Sequence, residues 1–428
     1  MHIQRRHFLL GSAAAIAAGA TGFRPAFADG VSLRQIFWGS KARADRTFQA
    51  NDLFLKANPT DKLTSEFYAW NDYWPKLATE TAGGAAPDII QMDYRYIVEY
   101  AKRQAIAPLD AFVGKELDLH DFDQDQIEGG KVDGKLYGIS LGANSVSTIV
   151  NTKAFEEAGV AVPDNNFTYD DLMTAGEAFK KANVRGGMKA FQDGSGSEPM
   201  LENWLRQRGK ALYTADGKLA FDADDMVEWF KLWKTLRDAG VIVSPDDQAL
   251  DTGPLDQTMV VLGKAAVTIA NSNQLVAFQA LMKDPVTITS FPRIAKGSKG
   301  GHYRKPSMFW SVANASKMQG EAAKYLSFFC NDPAATKGLG IERGIPCSAS
   351  VRDAIAPTLS PQDQITLHFV SNLGDLLGPI PPSPPPNAGE VDTQLITKSQ
   401  EVAFGQQSPE DAGPDFVKQA NDILSRKS

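Results

Sequence analysis

Three clusters that combine aromatic and polar side chains stand out in the first quarter of the chain. An aromatic ring can cover the C–H face of a pyranose, while Asp, Asn and Arg side chains make paired hydrogen bonds to its hydroxyl groups. These residue types therefore suit a site for a polyhydroxylated ligand, although each ring could equally belong to the core. The clusters are Gly39-Ser40-Lys41-Ala42-Arg43, Trp70-Asn71-Asp72-Tyr73-Trp74 and Asp93-Tyr94-Arg95-Tyr96.

The elements around the clusters explain why they should meet. Strand patterns over residues 33–38, 62–70 and 88–92 are each followed by a helical pattern, over 42–57, 72–82 and 94–103. Repeated strand-then-helix units predict a sheet covered by helices, and in open α/β sheets ligands bind outside the carboxyl ends of the strands. All three clusters are therefore expected on one edge of one lobe.

Later segments predict a second lobe. A strand over residues 147–151 leads into helical patterns at 169–181, 200–208 and 226–239, and a further strand covers 263–270. An amphipathic helix is expected over 319–330. The Gly/Pro-rich stretch 378–386 cannot form regular structure and is expected to wrap over the surface as polyproline.

Composition limits the function classes. The chain has 428 residues, of which 43% are hydrophobic and 22% charged, with a formal charge of −7. These values exclude a disordered tail and a coiled coil and favour two folded domains. Lys and Arg are nowhere concentrated as a nucleic-acid groove requires, so no nucleic-acid partner is expected.

The N-terminus has the pattern of an export signal. Arg5 and Arg6 precede a mildly apolar segment, and Ala26-Phe27-Ala28 provides a small-residue cleavage site. We predict a twin-arginine-type signal over residues 1–28, cleaved after Ala28, with an ordinary secretory signal as the alternative. Since no later run reaches the ~18 apolar residues of a membrane span, a soluble periplasmic protein is expected.

No motif indicates catalysis or a metal site. A Gly-x-Ser-x-Gly elbow is absent, and the Gly-rich stretch 194–197 lacks the Lys-Ser/Thr ending of a phosphate cradle. Three histidines beyond the signal, His120, His302 and His368, lie far apart, so neither a metal nor a cofactor is expected. A carboxylate pair for glycoside hydrolysis stays open, because sequence alone cannot pair 51 acids.

Two cysteines, Cys330 and Cys347, are 17 residues apart. An oxidising compartment would allow them to pair. The alternative is two small buried thiols, and the sequence does not decide between them.

Several segments, in order and spacing, resemble the extracellular sugar-binding proteins of ABC importers, the maltose-binding-protein-like family. The resemblance rests on Phe-Trp-Gly-Ser with Arg43 behind it, on Asp-Gly-Lys-Leu-Tyr-Gly-Ile at 133–139, and on Arg-Gly-Ile-Pro at 343–346. It continues through residues 71–79, 83–93, 150–159, 167–172 and 263–267, so it covers most of the chain.

The resemblance implies an α/β fold of two lobes, the type II periplasmic binding protein fold, with hinge crossovers and a ligand cleft between the lobes. The first lobe is expected at 29–140 plus 306–345 and the second at 141–305 plus 346–428. The ligand-binding residues that it implies are Ser40, Arg43, Trp70, Asp72, Asp93, Tyr94, Asn144, Trp204, Asn271, Asn273, Phe309, Trp310 and Arg343.

The expected function is capture of a mono- or oligosaccharide without chemistry and its delivery to ABC permease subunits in the inner membrane, by a monomer. Two alternatives remain. One is a secreted polysaccharide-degrading enzyme that uses a carboxylate pair, and the other is a binding protein for a non-sugar solute. The arginines at 43, 95 and 343 leave the charge of the sugar open.

Overall fold

The computed structural model describes residues 30–251, 254–382 and 384–426. The predicted export signal over residues 1–28 lies outside these ranges. The strands are β1 Ser32–Trp38, β2 Lys62–Tyr68, β3 Ile89–Met92, β4 Lys131–Val132, β5 Lys135–Leu136, β6 Ile139–Ser140, β7 Ala143–Asn144, β8 Val146–Asn151, β9 Val267–Asn271, β10 Val286–Thr289, β11 Lys305–Pro306 and β12 Phe309–Val312.

The helices surround these strands. They are α1 Lys41–Ala57, α2 Trp70–Ala82, α3 Ile97–Lys102, α4 Gln124–Glu128, α5 Thr152–Ala158, α6 Tyr169–Ala182, α7 Glu198–Gln207, α8 Ala223–Asp238, α9 Pro245–Gln248, α10 Leu275–Leu281, α11 Gln319–Asn331, α12 Pro333–Leu339, α13 Ala349–Ile355, α14 Pro361–Ser371, α15 Ala388–Ala403 and α16 Pro409–Leu424. Within the described residues, no helix combines the length and apolar character needed to cross a membrane.

A five-stranded sheet forms the first unit, in the order β2-β1-β3-β12-β6. β1 runs parallel to β2 and β3, whereas β12 is antiparallel to β3 and β6. Alternating side chains of β1 serve the two faces of the sheet. Phe37 packs with α1 and α11 on one face, while Ile36 and Trp38 pack with α2 and α3 on the other. The strand-then-helix prediction for this region is confirmed.

The second unit is built on the antiparallel sheet β10-β8-β9. Parallel bridges Lys189↔Ala265 and Phe191↔Ile242 extend it. Helices α15 and α16 pack on α8, and the large core here includes Trp229 and Trp233.

Three stretches of chain meet where the two units join. β7 pairs with β11 in the register Lys305↔Asn144, and Ala143 also bridges to Ile345. The third stretch requires a glycine, because Gly344 has a φ of 108° and a Cβ there would lie 3.0 Å from the carbonyl oxygen of Ala143. Ile341 and Ile345 of the third stretch also pack in one hydrophobic cluster with Ile149 of β8 and Ile288 of β10, so apolar packing supports the junction.

Candidate ligand-binding cleft

The carboxyl ends of β1, β2 and β3 present an aromatic surface. Trp70 begins α2 just after β2, and 38% of its surface is exposed. Its ring meets Trp38, the last residue of β1, edge to face with the centroids 5.1 Å apart, and the ring of Tyr96 lies 6.4 Å away. The contacts with Trp38 and Tyr96 fix the orientation of the Trp70 ring, and the exposed part of the ring is available to a ligand.

The polar side chains at the same edge differ in whether they already have partners within the protein. The Ser40 hydroxyl accepts a hydrogen bond from the backbone N–H of Arg43 at 3.2 Å and caps α1. The Arg43 guanidinium donates to both carboxylate oxygens of Glu342, at 2.8 and 3.0 Å. Its charge is therefore already neutralised. Asp72 is exposed in the first turn of α2, and the Asp93 carboxylate accepts from the backbone N–H of Arg95 at 2.8 Å.

Tyr94 connects this edge to the junction of the two units. Its ring stacks beside Phe309 with centroids 6.4 Å apart, and the ammonium of Lys305 lies 5.7 Å from its centre. The Tyr94 hydroxyl donates to the carbonyl of Pro381 at 3.1 Å. Tyr94 thus touches the hinge strand β11 and the Gly/Pro-rich stretch at once.

A cavity of about 250 Å³ lies at the junction, and three of the predicted amides line it together with Tyr303 and Lys305. The Oδ1 atom of Asn144 is buried and has no hydrogen-bond donor among the described residues. This oxygen lies beside Gly344, where a Cβ would be 3.1 Å from it, so it is enclosed within the junction and is not presented to the cavity. The amides are Asn144, Asn271 and Asn273.

An acidic cluster faces the junction from the second unit. Glu198 begins α7, and burial together with the nearby carboxylates of Asp392 and Glu202 raises its pKa to about 7. Burial also raises the pKa of Glu202, whose carboxylate accepts from the Tyr303 hydroxyl at 3.1 Å. The charges of Lys305 and Arg95 act in the opposite direction on Glu198, so groups of the first unit and of the hinge lie within electrostatic range of it.

Four predicted residues lie elsewhere. Phe309 and Trp310 belong to the central strand β12 and are fully buried, with Trp310 packed edge-on to other core rings. Trp204 is 4% exposed and packs on Trp229. Arg343 is 5% exposed, donates to the Thr47 hydroxyl at 2.8 Å, and has its pKa lowered to about 10 by burial. The structure does not bring these four side chains to the cleft.

Sequence reasoning missed the acidic cluster. The helix predicted over 200–208 begins at Glu198 in the structure, and the only residue of this helix among the predicted ligand-binding residues is Trp204. A carboxylate in the first turn of a helix, after a Ser-rich loop, is a weak local signal that could have found it. No such signal marks Asp392 or Lys305, which come from distant parts of the chain.

Known protein families and solved structures include relatives of this chain. Residues 50–363 match the profile of a family described as bacterial extracellular solute-binding protein. The chain belongs to this family. A solved structure from Alicyclobacillus acidocaldarius, an extracellular solute-binding protein of family 1, is 31% identical to this solute-binding protein; the alignment covers 93% of this chain and 99% of that one, with a TM-score of 0.81.

Two further relatives are more distant. A periplasmic oligogalacturonide-binding protein of Yersinia enterocolitica is 23% identical, with 92% of this chain and 99% of that chain covered and a TM-score of 0.78. A Brucella abortus protein named as a binding protein is 24% identical over 44% of this chain, and the match spans only 45% of that relative. The predicted family and the two-lobe type II fold of this solute-binding protein are confirmed.

Proposed function

We propose that this solute-binding protein captures a carbohydrate between its two lobes and delivers it to the permease of an ABC importer. One observation carries the proposal. An exposed aromatic surface around Trp70 lies at the strand ends of one unit, while carboxylates and amides occupy the facing junction and second unit. A pyranose needs both an apolar face and directional hydrogen bonds, and this arrangement offers them.

The charges of the cleft favour a neutral sugar. Arg43 is paired with Glu342, and Arg343 is buried in the first unit, so neither is available to a carboxylate of the ligand. Two other cations, Lys305 and Arg95, remain near the cleft, and both lie within electrostatic range of Glu198. The three carboxylates of Glu198, Glu202 and Asp392 outnumber them, and each one that is ionised adds to the repulsion of an acidic sugar. The Yersinia relative binds an acidic oligosaccharide, but at 23% identity it supports the fold alone.

We also propose boundaries for the two lobes, a location and an oligomeric state. We assign residues 29–140 plus 306–345 to the first lobe and 141–305 plus 346–428 to the second, consistent with the two sheets. Ligand contacts from both lobes would favour the closed state over the open one. The protein is proposed to act as a monomer in the periplasm after export and cleavage behind Ala28.

The test is calorimetry of the purified protein against mono- and oligosaccharides, uronates, amino acids and polyamines. We expect a neutral sugar to bind and Trp70→Ala to weaken binding about tenfold or more, which corresponds to roughly 1.4 kcal/mol. Phe67→Ala is the matched control, because Phe67 is 39% exposed but packs on Phe37, on the opposite face of the sheet from the contact between Trp38 and Trp70.

Two results would refute the proposal. One is the absence of sugar binding at millimolar concentration. The other is sugar binding that Trp70→Ala and Phe67→Ala weaken equally, since that outcome would remove the aromatic surface from the site.

A further inference from the structure

A second, larger cavity lies within the second unit. It encloses about 430 Å³, within the range of roughly 300–1,000 Å³ that is typical of small-molecule sites. Three segments form its walls: the loop 192–197 before α7, the stretch 245–251 that includes α9, and the C-terminal half of α15. None of the residues that line it belongs to the junction cavity described above.

The cavity adjoins the proposed sugar site through two shared elements. Ser197 lines the cavity, and the next residue, Glu198, belongs to the acidic cluster of the cleft. On α15, Asp392 faces that cluster, and Ile396, one turn further along the helix, lines the cavity. Gly196 packs against α15 between the two places, since a Cβ there would lie 3.4 Å from the Cα of Ile396. A ligand that occupies both places therefore has to cross the exposed side chain of Ile396.

The lining has the chemistry of a carbohydrate subsite. Its polar side chains include Ser197 and the exposed Gln400, whereas the Oγ atom of Ser399 is buried beside Gly196 and is closed to a ligand. Asp193 is paired with Arg237, so its charge is neutralised. The rim adds two apolar surfaces, because Ile396 and Phe404 are 43% and 47% exposed.

The lining also disfavours an anion. No described residue that lines the cavity is a lysine or an arginine, whereas two of them are aspartates. An acidic sugar unit would enter without a counter-charge.

We propose that this cavity is an additional subsite that receives neutral sugar units at the far end of an oligosaccharide whose near end lies in the cleft. The inference rests on the proposed carbohydrate function and adds a substrate class to it, namely neutral oligosaccharides longer than a disaccharide.

The experiment compares ligand lengths. Calorimetry measures the affinity of the wild-type protein and of Ala249→Trp for neutral glucan, xylan and mannan series from disaccharide to hexasaccharide. Ala249 lies at the exposed rim of the cavity, so tryptophan there should fill it. We expect wild-type affinity to rise about tenfold or more with length, and Ala249→Trp to abolish this gain while leaving disaccharide binding unchanged.

The control is Leu250→Trp, since Leu250 is exposed but does not line the cavity. Gln400→Trp on α15 provides a second filled cavity, and thermal unfolding verifies that each variant is folded. Affinity that does not rise with length, or a gain that both filled variants retain, would overturn the subsite. Failure of every sugar to bind the wild-type protein would instead refute the proposed function on which it rests.

Discussion

Glu198 should make the stability of the ligand-free protein depend on pH. Its pKa is about 7, compared with an ordinary value of 4.5, because it is partly buried beside two other carboxylates. Between these two values the folded state holds the proton that the unfolded state has released. The free energy of unfolding therefore falls as the pH rises from 4.5 to 7, and the contribution of Glu198 stays lost above pH 7.

The size of the effect follows from the two pKa values. Each pH unit between them corresponds to about 1.4 kcal/mol, so ionisation of Glu198 destabilises the fold by up to roughly 3 kcal/mol. Residual solvent contact screens part of this, and we expect about 1–3 kcal/mol. Glu198→Gln removes the charge while keeping the shape. The variant should match the wild-type protein at pH 4.5 and exceed its free energy of unfolding by this amount at pH 8.

Urea denaturation between pH 4.5 and pH 8, followed by tryptophan fluorescence and circular dichroism, measures the difference. Glu177→Gln, on the exposed side of α6, is the matched control and should show no such trend. A difference between Glu198→Gln and wild type that stays constant with pH would refute the acidic cluster. The assay needs no ligand, so it tests the geometry independently of the proposed sugar.

Three further predictions test the hinge, the buried arginine and the cysteines. In urea denaturation, Gly344→Ala should lose roughly 1–3 kcal/mol because of its positive φ, whereas Gly389→Ala, with open space around it, should be neutral or stabilising. By calorimetry, Arg343→Met should keep sugar affinity within about threefold; a tenfold loss would place Arg343 in the site. Cys330 and Cys347 are free thiols, half-buried and buried respectively, and burial raises the pKa of both. Iodoacetamide should therefore label Cys347, as read by mass spectrometry, only after unfolding, and Cys330 more slowly in the native protein than after unfolding. Rapid native labelling of Cys347 would contradict its burial.

Local patterns predicted much of the first unit. Helix α1 and strand β1 begin within one residue of their predicted starts, because a capping serine and alternating apolar residues are short-range signals. The start of α2 was less accurate: it begins at Trp70, two residues earlier than predicted, which moves Pro75 out of the first turn. The same patterns placed Tyr94 after the end of its strand, whereas Trp70, predicted as the last residue of a strand over 62–70, begins α2 because β2 ends at Tyr68.

Long-range packing decided the rest. The aromatic pair Phe309-Trp310 has the same sequence pattern whether its strand lies in the centre of a sheet or at its edge. The sheet order shows that β12 lies between β3 and β6, and this central position buries both rings. An arginine in a sequence is normally expected at the protein surface. Arg343 is instead buried against Phe37, Phe329 and Thr47, which are distant from it along the chain.

The family, the strand-then-helix units and most strand-end residues could be predicted from the sequence, since they depend on neighbours along the chain. Which charges meet became known only from the folded structure. Glu198, Asp392 and Lys305 are separated by many residues in sequence, yet the burial of Glu198 and its proximity to Asp392 raise its pKa, while the charge of Lys305 opposes the rise. Electrostatic energy depends on distance and on solvent exclusion, and both are properties of the folded chain.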